Sequence, residues 1–259
     1  MATKALTKKK VVKKATKKKF VYTITIPKSG HLKNSKKIFQ RSVDAVNNFY
    51  DTYSDGTPGA PTHQKQDLLR ATVIFACAGL DSILKTLVED CLEEVINQSE
   101  GAEKSFKDFI EKRIKNKNHS SRNSIKQKEE NPFNDFDYSF LSSILCSSDP
   151  RTVLLEKYKK NFSGSLQSAE EVFRVGAAFE LETKKIIEGT SEADFKKAFE
   201  IRNKITHELD ITLKSTDKWD TKKRTVGEIT KSCESVFQVI QNFLNELEKK
   251  VEAKKHESV

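Results

Sequence analysis

The sequence predicts an all-α protein. Three observations carry that: scarce turn residues, long stretches with apolar residues three and four apart, and helix-cap signatures ahead of several of them. Glycine (9) and proline (5) are few among 259 residues, too few for the turns of an all-β sandwich or a loop-rich scaffold. Hydrophobic residues make up 36% and charged residues 32%, the balance of helices that each bury one face. The chain has no run of 18 or more apolar residues and no apolar signal-peptide core at its N-terminus. The expected compartment is therefore the cytoplasm, with no membrane partner.

The first element is a tail. Residues 1–19 hold nine lysines and no acid, so they supply almost all of the net charge of +10 and leave the body at +1. Such a segment is expected to be disordered alone. It can grip phosphates through counterion release, or serve as a solubilising tail or a nuclear-import signal; the residues leave this open.

Residues 20–62 are expected to pack on the body as an extended segment followed by a helix. Phe20 to Ile26 is aromatic and β-branched and is closed by Pro27. In Ser35 to Tyr53, Ile38, Phe39, Val43, Val46, Phe49 and Tyr50 fall on one helical face. Ser54 to Thr62 is a turn-rich break with Pro58 and Pro61.

Residues 63–255 read as one helical domain. Its strongest stretch, Gln66 to Asn97, is apolar on both sides of its first half and is the expected central helix. Asp81 interrupts it, and a buried carboxylate needs a partner, so Asp81 either bonds locally or faces a site. A shorter helix is expected over Phe106 to Lys117, and a polar loop over His119 to Phe136. Asp149-Pro150 is a helix start, with an N-cap followed by a proline tolerated at the first position. Ser168-Ala-Glu-Glu171 is a capping box, and Ser191-Glu-Ala-Asp194 a weaker version of it. The latter opens a helix over 192–209 with Ala198, Ile201, Ile205 and Leu209 as its buried seam. Lys214 to Arg224 reads as a polar connection, and Thr225 to about Lys254 as the last long helix.

The four cysteines lack C-x-x-C spacing and the five histidines form no H-E-x-x-H pair, so no metal site and no cofactor are expected. Cys77, in an apolar helical run, reads as a buried reduced thiol. There is no glycine-rich phosphate loop, which sets aside nucleotide-driven motors and Rossmann enzymes.

Chemistry concentrates at the end of helix 192–209, where Arg202, Asn203, Lys204, Thr206 and His207 stand on the polar part. Asn203 and His207 are four apart and share a face. Arg202 lies about 140° round from His207, though its long side chain can wrap toward the same mouth. The bland alternative is a surface arginine paired to an acid, with a histidine placed to suit the helix C-terminus.

Arg202-Asn203-x-x-x-His207 resembles the R-x(4–6)-H signature of HEPN domains, including the asparagine directly after the arginine. The helix beginning RATVIFACAGLDSILKTLVEDCLEEVI at Arg70, with its mid-helix Asp81, resembles the first helix of that superfamily. The segment from Leu154 to Ser168 resembles the linker of the RiboL-PSP-type subgroup. The resemblance spans about residues 65–250. It implies an HEPN-like helical bundle that forms a homodimer about a two-fold axis, with one composite RNA cleft. It also implies metal-independent cleavage leaving a 2′,3′-cyclic phosphate. Arg202, Asn203 and His207 would then be catalytic, Lys204 and Thr206 would bind RNA, and Asp81 would support them. Asn203 would orient His207 or a phosphate oxygen.

Three function classes follow. One is an endoribonuclease used as a toxin or in phage defence and restrained by an antitoxin or a defence-system partner. Another is a non-catalytic HEPN-like module that binds RNA or protein. The third is a helical interaction protein tethered to DNA by its lysines.

Overall fold

The computed structural model describes residues 20–28, 30–54, 62–114, 138–214 and 218–252. The lysine tail, most of the Ser54–Thr62 break and the whole of the expected polar loop at His119 to Phe136 lie outside these residues.

The fold is built round α2 (His63–Gln98), whose buried side chains run from Leu69 to Ile96 on more than one flank. A helix apolar on several sides must be covered on several sides. Accordingly α1 (Lys33–Ser54), α8 (Glu192–Glu208) and α9 (Val226–Glu252) all pack against it. Each fully buried leucine there, such as Leu69, Leu80, Leu84 or Leu87, is worth roughly 1.5–3 kcal/mol of transfer from water. Contact with α1 is closest at Gly79, where a methyl group would overlap the Ser42 side chain. That closeness lets the Ser42 hydroxyl donate to the Phe75 carbonyl at 3.3 Å.

The remaining elements cover the ends. They are α3 (Glu100–Ile114), α4 (Tyr138–Leu145), α5 (Pro150–Lys160), α6 (Ala169–Ala178) and the one-turn α7 (Thr183–Ile186). Helix starts follow the cap signatures. Asp149 accepts from the Thr152 amide at 3.2 Å with Pro150 at the first helical position, and Ser168 caps α6 through the Glu171 amide at 3.4 Å. Thr62, unremarked in the sequence, caps α2.

Residues 20–28 form no strand ladder but lie across α1 and α9. Asn47 imitates a strand partner: its Oδ1 accepts from the Phe20 amide at 2.9 Å and its Nδ2 donates to the Phe20 carbonyl at 3.0 Å. The Phe20 ring meets Tyr50 and Phe237 edge-on, with centroids 5.3 and 5.6 Å away.

Two expectations need correcting. The stretch read as a polar connection is a β-hairpin, β1 (Ile211–Lys214) antiparallel to β2 (Lys218–Thr221), in the register Ile211↔Thr221 and Leu213↔Trp219. Its β-branched and aromatic residues favour extended backbone, while the interspersed charges give it the composition of a loop. Leu209, expected in the buried seam, is 69% exposed. The helix ends one residue earlier, and Leu209 turns into the left-handed region (φ 50°), which takes its side chain off the buried face.

The residue buried there instead is Asp210, itself left-handed at φ 57°. Left-handed backbone costs a non-glycine residue roughly 1–2 kcal/mol, and a carboxylate cluster offsets it. Asp210 takes a two-pronged bond from Arg224 (2.8 Å from Nε, 2.6 Å from Nη2) and a longer one from Arg70 Nε at 3.4 Å. Arg70 also donates to the Lys222 carbonyl at 2.9 Å and to Asp67 at 2.7 Å. Gln66 closes the cluster through both main-chain groups of Arg224. This clamp joins the start of α2, the end of α8 and the exit of the hairpin.

All four cysteines are free; Cys77, Cys91 and Cys233 are buried and Cys146 is exposed.

Candidate active site

Helix α8 holds the candidates because one side of it is committed to the core. Phe195, Ala198, Phe199, Ile201 and Ile205 are buried, so residues between those positions face outward. Its start is fixed by Ser191, whose hydroxyl accepts from the Asp194 amide at 3.1 Å. Glu192 and Asp194 in the first turn suit the positive end of the helix dipole.

Arg202 and Asn203 are half-buried, while Lys204, Thr206 and His207 are exposed. The guanidinium of Arg202 donates to Asn203 Oδ1 at 2.8 Å, and Asn203 Nδ2 donates to the Gln167 carbonyl at 3.0 Å. The amide expected to orient His207 or a phosphate oxygen is thus occupied at both ends. It holds the arginine, and it fastens α8 to the segment between α5 and α6. The Thr206 hydroxyl donates to the Arg202 carbonyl at 2.9 Å, which leaves its oxygen free only to accept from a ligand. His207 and Lys204 make no hydrogen bond or ion pair through their side chains among the described residues.

Asp81 is half-buried and bonds both along its own helix and across to a loop. Its Oδ2 accepts from Lys85 one turn along the helix at 2.8 Å, and its Oδ1 accepts from the Leu166 amide at 2.8 Å. Leu166 and Gln167 are neighbours, so Asp81 from α2 and Asn203 from α8 grip the same loop from two sides. Asp81 reaches Asn203 only through that loop and touches neither Arg202 nor His207. Gln167 was invisible as a site residue because it contributes a main-chain carbonyl, which any residue carries.

The charge of Arg202 is felt inside the protein. Burial pushes the Cys77 thiol up to about 12, and Arg202 is the influence that opposes this. Among the described residues no carboxylate pairs with the Arg202 guanidinium. Ala71, Ile74, Phe75 and Ala78 of α2 fall on one flank at three- and four-residue spacing, with the Phe75 ring 4.9 Å from that of Phe49 in α1. Phe75 is 47% exposed, Ala78 is exposed, and Ala71 and Ile74 are half-buried. At about 100° per residue, this flank runs between the line that meets α1 at Gly79 and the line that carries Arg70 and Asp81 toward α8.

Among the described residues no group of three or more His, Cys, Asp or Glu side chains is placed to hold a metal ion. A cleft of about 760 Å³ lies between residues 20–22, the start of α8 and α9, at the other end of the helix from His207. It takes in none of the six candidates. The arginine, the histidine and Lys204 therefore stand on an open face rather than in that cleft.

Comparison with known proteins identifies the family. The family model described as RiboL-PSP-HEPN matches residues 37–249, from inside α1 to near the end of α9. The match thus starts earlier than the motif and linker alone suggested. No curated protein and no solved structure matches the chain.

Proposed function

We propose that this chain, which belongs to the RiboL-PSP-HEPN family, is a metal-independent endoribonuclease whose cleft forms between two copies of α8. The observation that carries the reading is an arginine held in place by an uncharged neighbour and left without a carboxylate, beside an exposed and unbonded histidine. The buried arginines Arg70 and Arg224 both pair with Asp210; Arg202 pairs with no carboxylate among the described residues and is free to meet a phosphate.

The chemistry follows from the side chains. Histidine is the side chain whose ordinary pKa lies nearest neutrality. One His207 takes the proton from the ribose 2′-OH as the 2′-oxygen bonds to phosphorus. The other protonates the 5′-oxygen as its bond to phosphorus breaks. Arg202 offers a planar fork to the charge that builds on the phosphoryl oxygens. Lys204 adds a second positive charge. The Thr206 oxygen accepts from a ribose hydroxyl. The products are a 2′,3′-cyclic phosphate and a free 5′-hydroxyl.

Two copies are needed because one face supplies one histidine, and the reaction as written uses two. A two-fold interface must be self-complementary, and the Ala71–Ala78 flank of α2 gives α8 an apolar border for it. A toxin or phage-defence role in the cytoplasm, restrained by an antitoxin or defence-system partner, fits an enzyme of this kind. Inducible expression tests that role: growth arrest by the wild type, absent with His207→Ala, is the expected result.

The direct test is cleavage of labelled RNA by purified protein with EDTA present. A 2′,3′-cyclic phosphate end and activity that falls on dilution are expected. RNA binding without cleavage would point to a non-catalytic module instead. Full cleavage by a strict monomer would overturn the composite cleft.

A further inference from the structure

We propose that Asp210 is a positioning residue for His207, which it controls from three residues away through the end of α8. This rests on the reading of His207 as the proton-transfer group; Asp210 itself touches no reacting atom.

The end of α8 is built round this residue. The Asp210 amide donates to the Lys204 carbonyl at 3.0 Å, and its own carbonyl accepts from the Lys222 amide at 2.8 Å. The first of these bonds spans residues 204 to 210 and so encloses His207. The Leu209 amide bonds the same Lys204 carbonyl. Both bonds exist because Leu209 and Asp210 adopt left-handed backbone, at φ 50° and 57°, a conformation that aspartate visits more readily than leucine and that is costly for two residues in a row. The carboxylate offsets that cost. Its side chain is 2% exposed and lies in the fork of Arg224, which is 1% exposed, and Arg70 reaches it from α2.

This gives the motif two fixed points on α2. Asn203 and Asp81 tie the arginine end through the loop at Leu166 and Gln167, and the Asp210–Arg70 contact ties the histidine end. Arg202 and His207 make no bond to each other, so their relative placement is set by the stiffness of the helix between those ties. Release of the second tie frees the last turn to fray or to wind on as ordinary helix. Either change moves the imidazole while leaving Arg202 where it is.

The test is Asp210→Asn, similar in size and without the charge, compared with Asp210→Glu. Expected for Asp210→Asn is a loss of roughly 10- to 100-fold in kcat, as for a displaced catalytic group, with KM within about threefold because Arg202 and Lys204 stay. The NMR signal of the His207 ring should shift, and amide exchange should quicken most over residues 204–211, by more than the drop in global stability accounts for. Asp210→Glu should recover part of each effect. If Asp210→Asn does not fold, Arg70→Gln keeps the Arg224 fork, and the same pattern should appear at smaller size. Unchanged kcat with an unmoved His207 signal overturns the proposal, and so does exchange that quickens equally across the whole protein with no excess at residues 204–211. If the wild type cleaves no RNA, the ribonuclease reading fails by itself. The ring signal and the exchange pattern then decide the positioning role alone: local loosening supports it, and an unmoved signal overturns it.

Discussion

The molecule treats its arginines in two opposite ways within one short stretch of chain. Arg224 is buried with Asp210 in its fork, Glu228 at 3.2 Å and Gln66 on its main chain. Arg202, twenty-two residues earlier, has an asparagine where Arg224 has a carboxylate. Taking a charge out of water demands a matching charge, and a pair so matched is closed to outside ligands. A guanidinium oriented by a neutral amide keeps its geometry and its charge, and both remain usable by an incoming phosphate. The closed site fixes where the chain goes; the open one retains a charge for a substrate.

The sharpest way to break this contrast is to remove the open site. His207→Ala should lower RNA cleavage by about 10²–10⁴-fold, the range for a lost acid–base group. Its thermal unfolding should be unchanged, since His207 is exposed and bonded to nothing among the described residues. Arg202→Lys should be severely impaired as well, because a point charge cannot copy a planar fork. Cleavage by either variant at the wild-type rate would remove α8 from the chemistry.

The same contrast in stability comes next. Arg224→Ala leaves Asp210 buried with only the longer Arg70 contact and should cost about 3–5 kcal/mol in urea unfolding. Arg202→Ala should stay within about 1 kcal/mol, as for a partly exposed side chain with no ion pair. Equal losses would mean that the two arginines do the same work.

Acid should test the closed site by itself. Burial pushes the Asp210 carboxyl up, but Arg224 and then Arg70 outweigh it and hold it below the ordinary aspartate range. A carboxyl whose pKa falls on folding adds stability that is complete above its unfolded value of about 3.9. That stability is lost as pH drops through the lower folded value. The stability gap between wild type and Asp210→Asn should therefore be flat from pH 8 to 5 and narrow only below about pH 4.

The smallest effect expected belongs to the lysine tail. Deleting residues 1–19 should leave cleavage of bound RNA intact and flatten the salt dependence of binding. At about 0.7 per contact on single strands, nine lysines can account for a slope of no more than about 6. An unchanged slope would show that the tail holds no phosphates.

How much of this was legible in the sequence depends on how far apart the partners lie. Ala198, Ile201 and Ile205 could be placed in the core by spacing alone, and Asp149, Ser168 and Ser191 could be read as caps because their partners lie three residues on. Leu209 could not be placed, because its side chain follows a backbone reversal whose cause, Asp210 in the fork of Arg224, includes a residue beyond the hairpin. The hairpin was hidden by lysines and aspartates that made a β-forming stretch look like a loop. The motif named Arg202, Asn203 and His207, but the direction of the Asn203 amide is set by a carbonyl 36 residues away. Main-chain partners have no residue signature, so no reading of side-chain types finds them.

The buried thiols turn the core into a reporter of its own breathing. Burial pushes Cys77 and Cys91 up to about 12 and raises Cys233 well above the ordinary thiol value, while alkylating reagents attack only thiolate they can reach. Under native conditions one label per chain is expected, at Cys146. Each further label must wait for a piece of the bundle to open. Cys77 and Cys233 sit where α2 meets α9, and Cys91 lies nearly four turns along α2. The order in which those three masses appear in a labelling time course would show which end of the central helix opens first, without introducing a single probe.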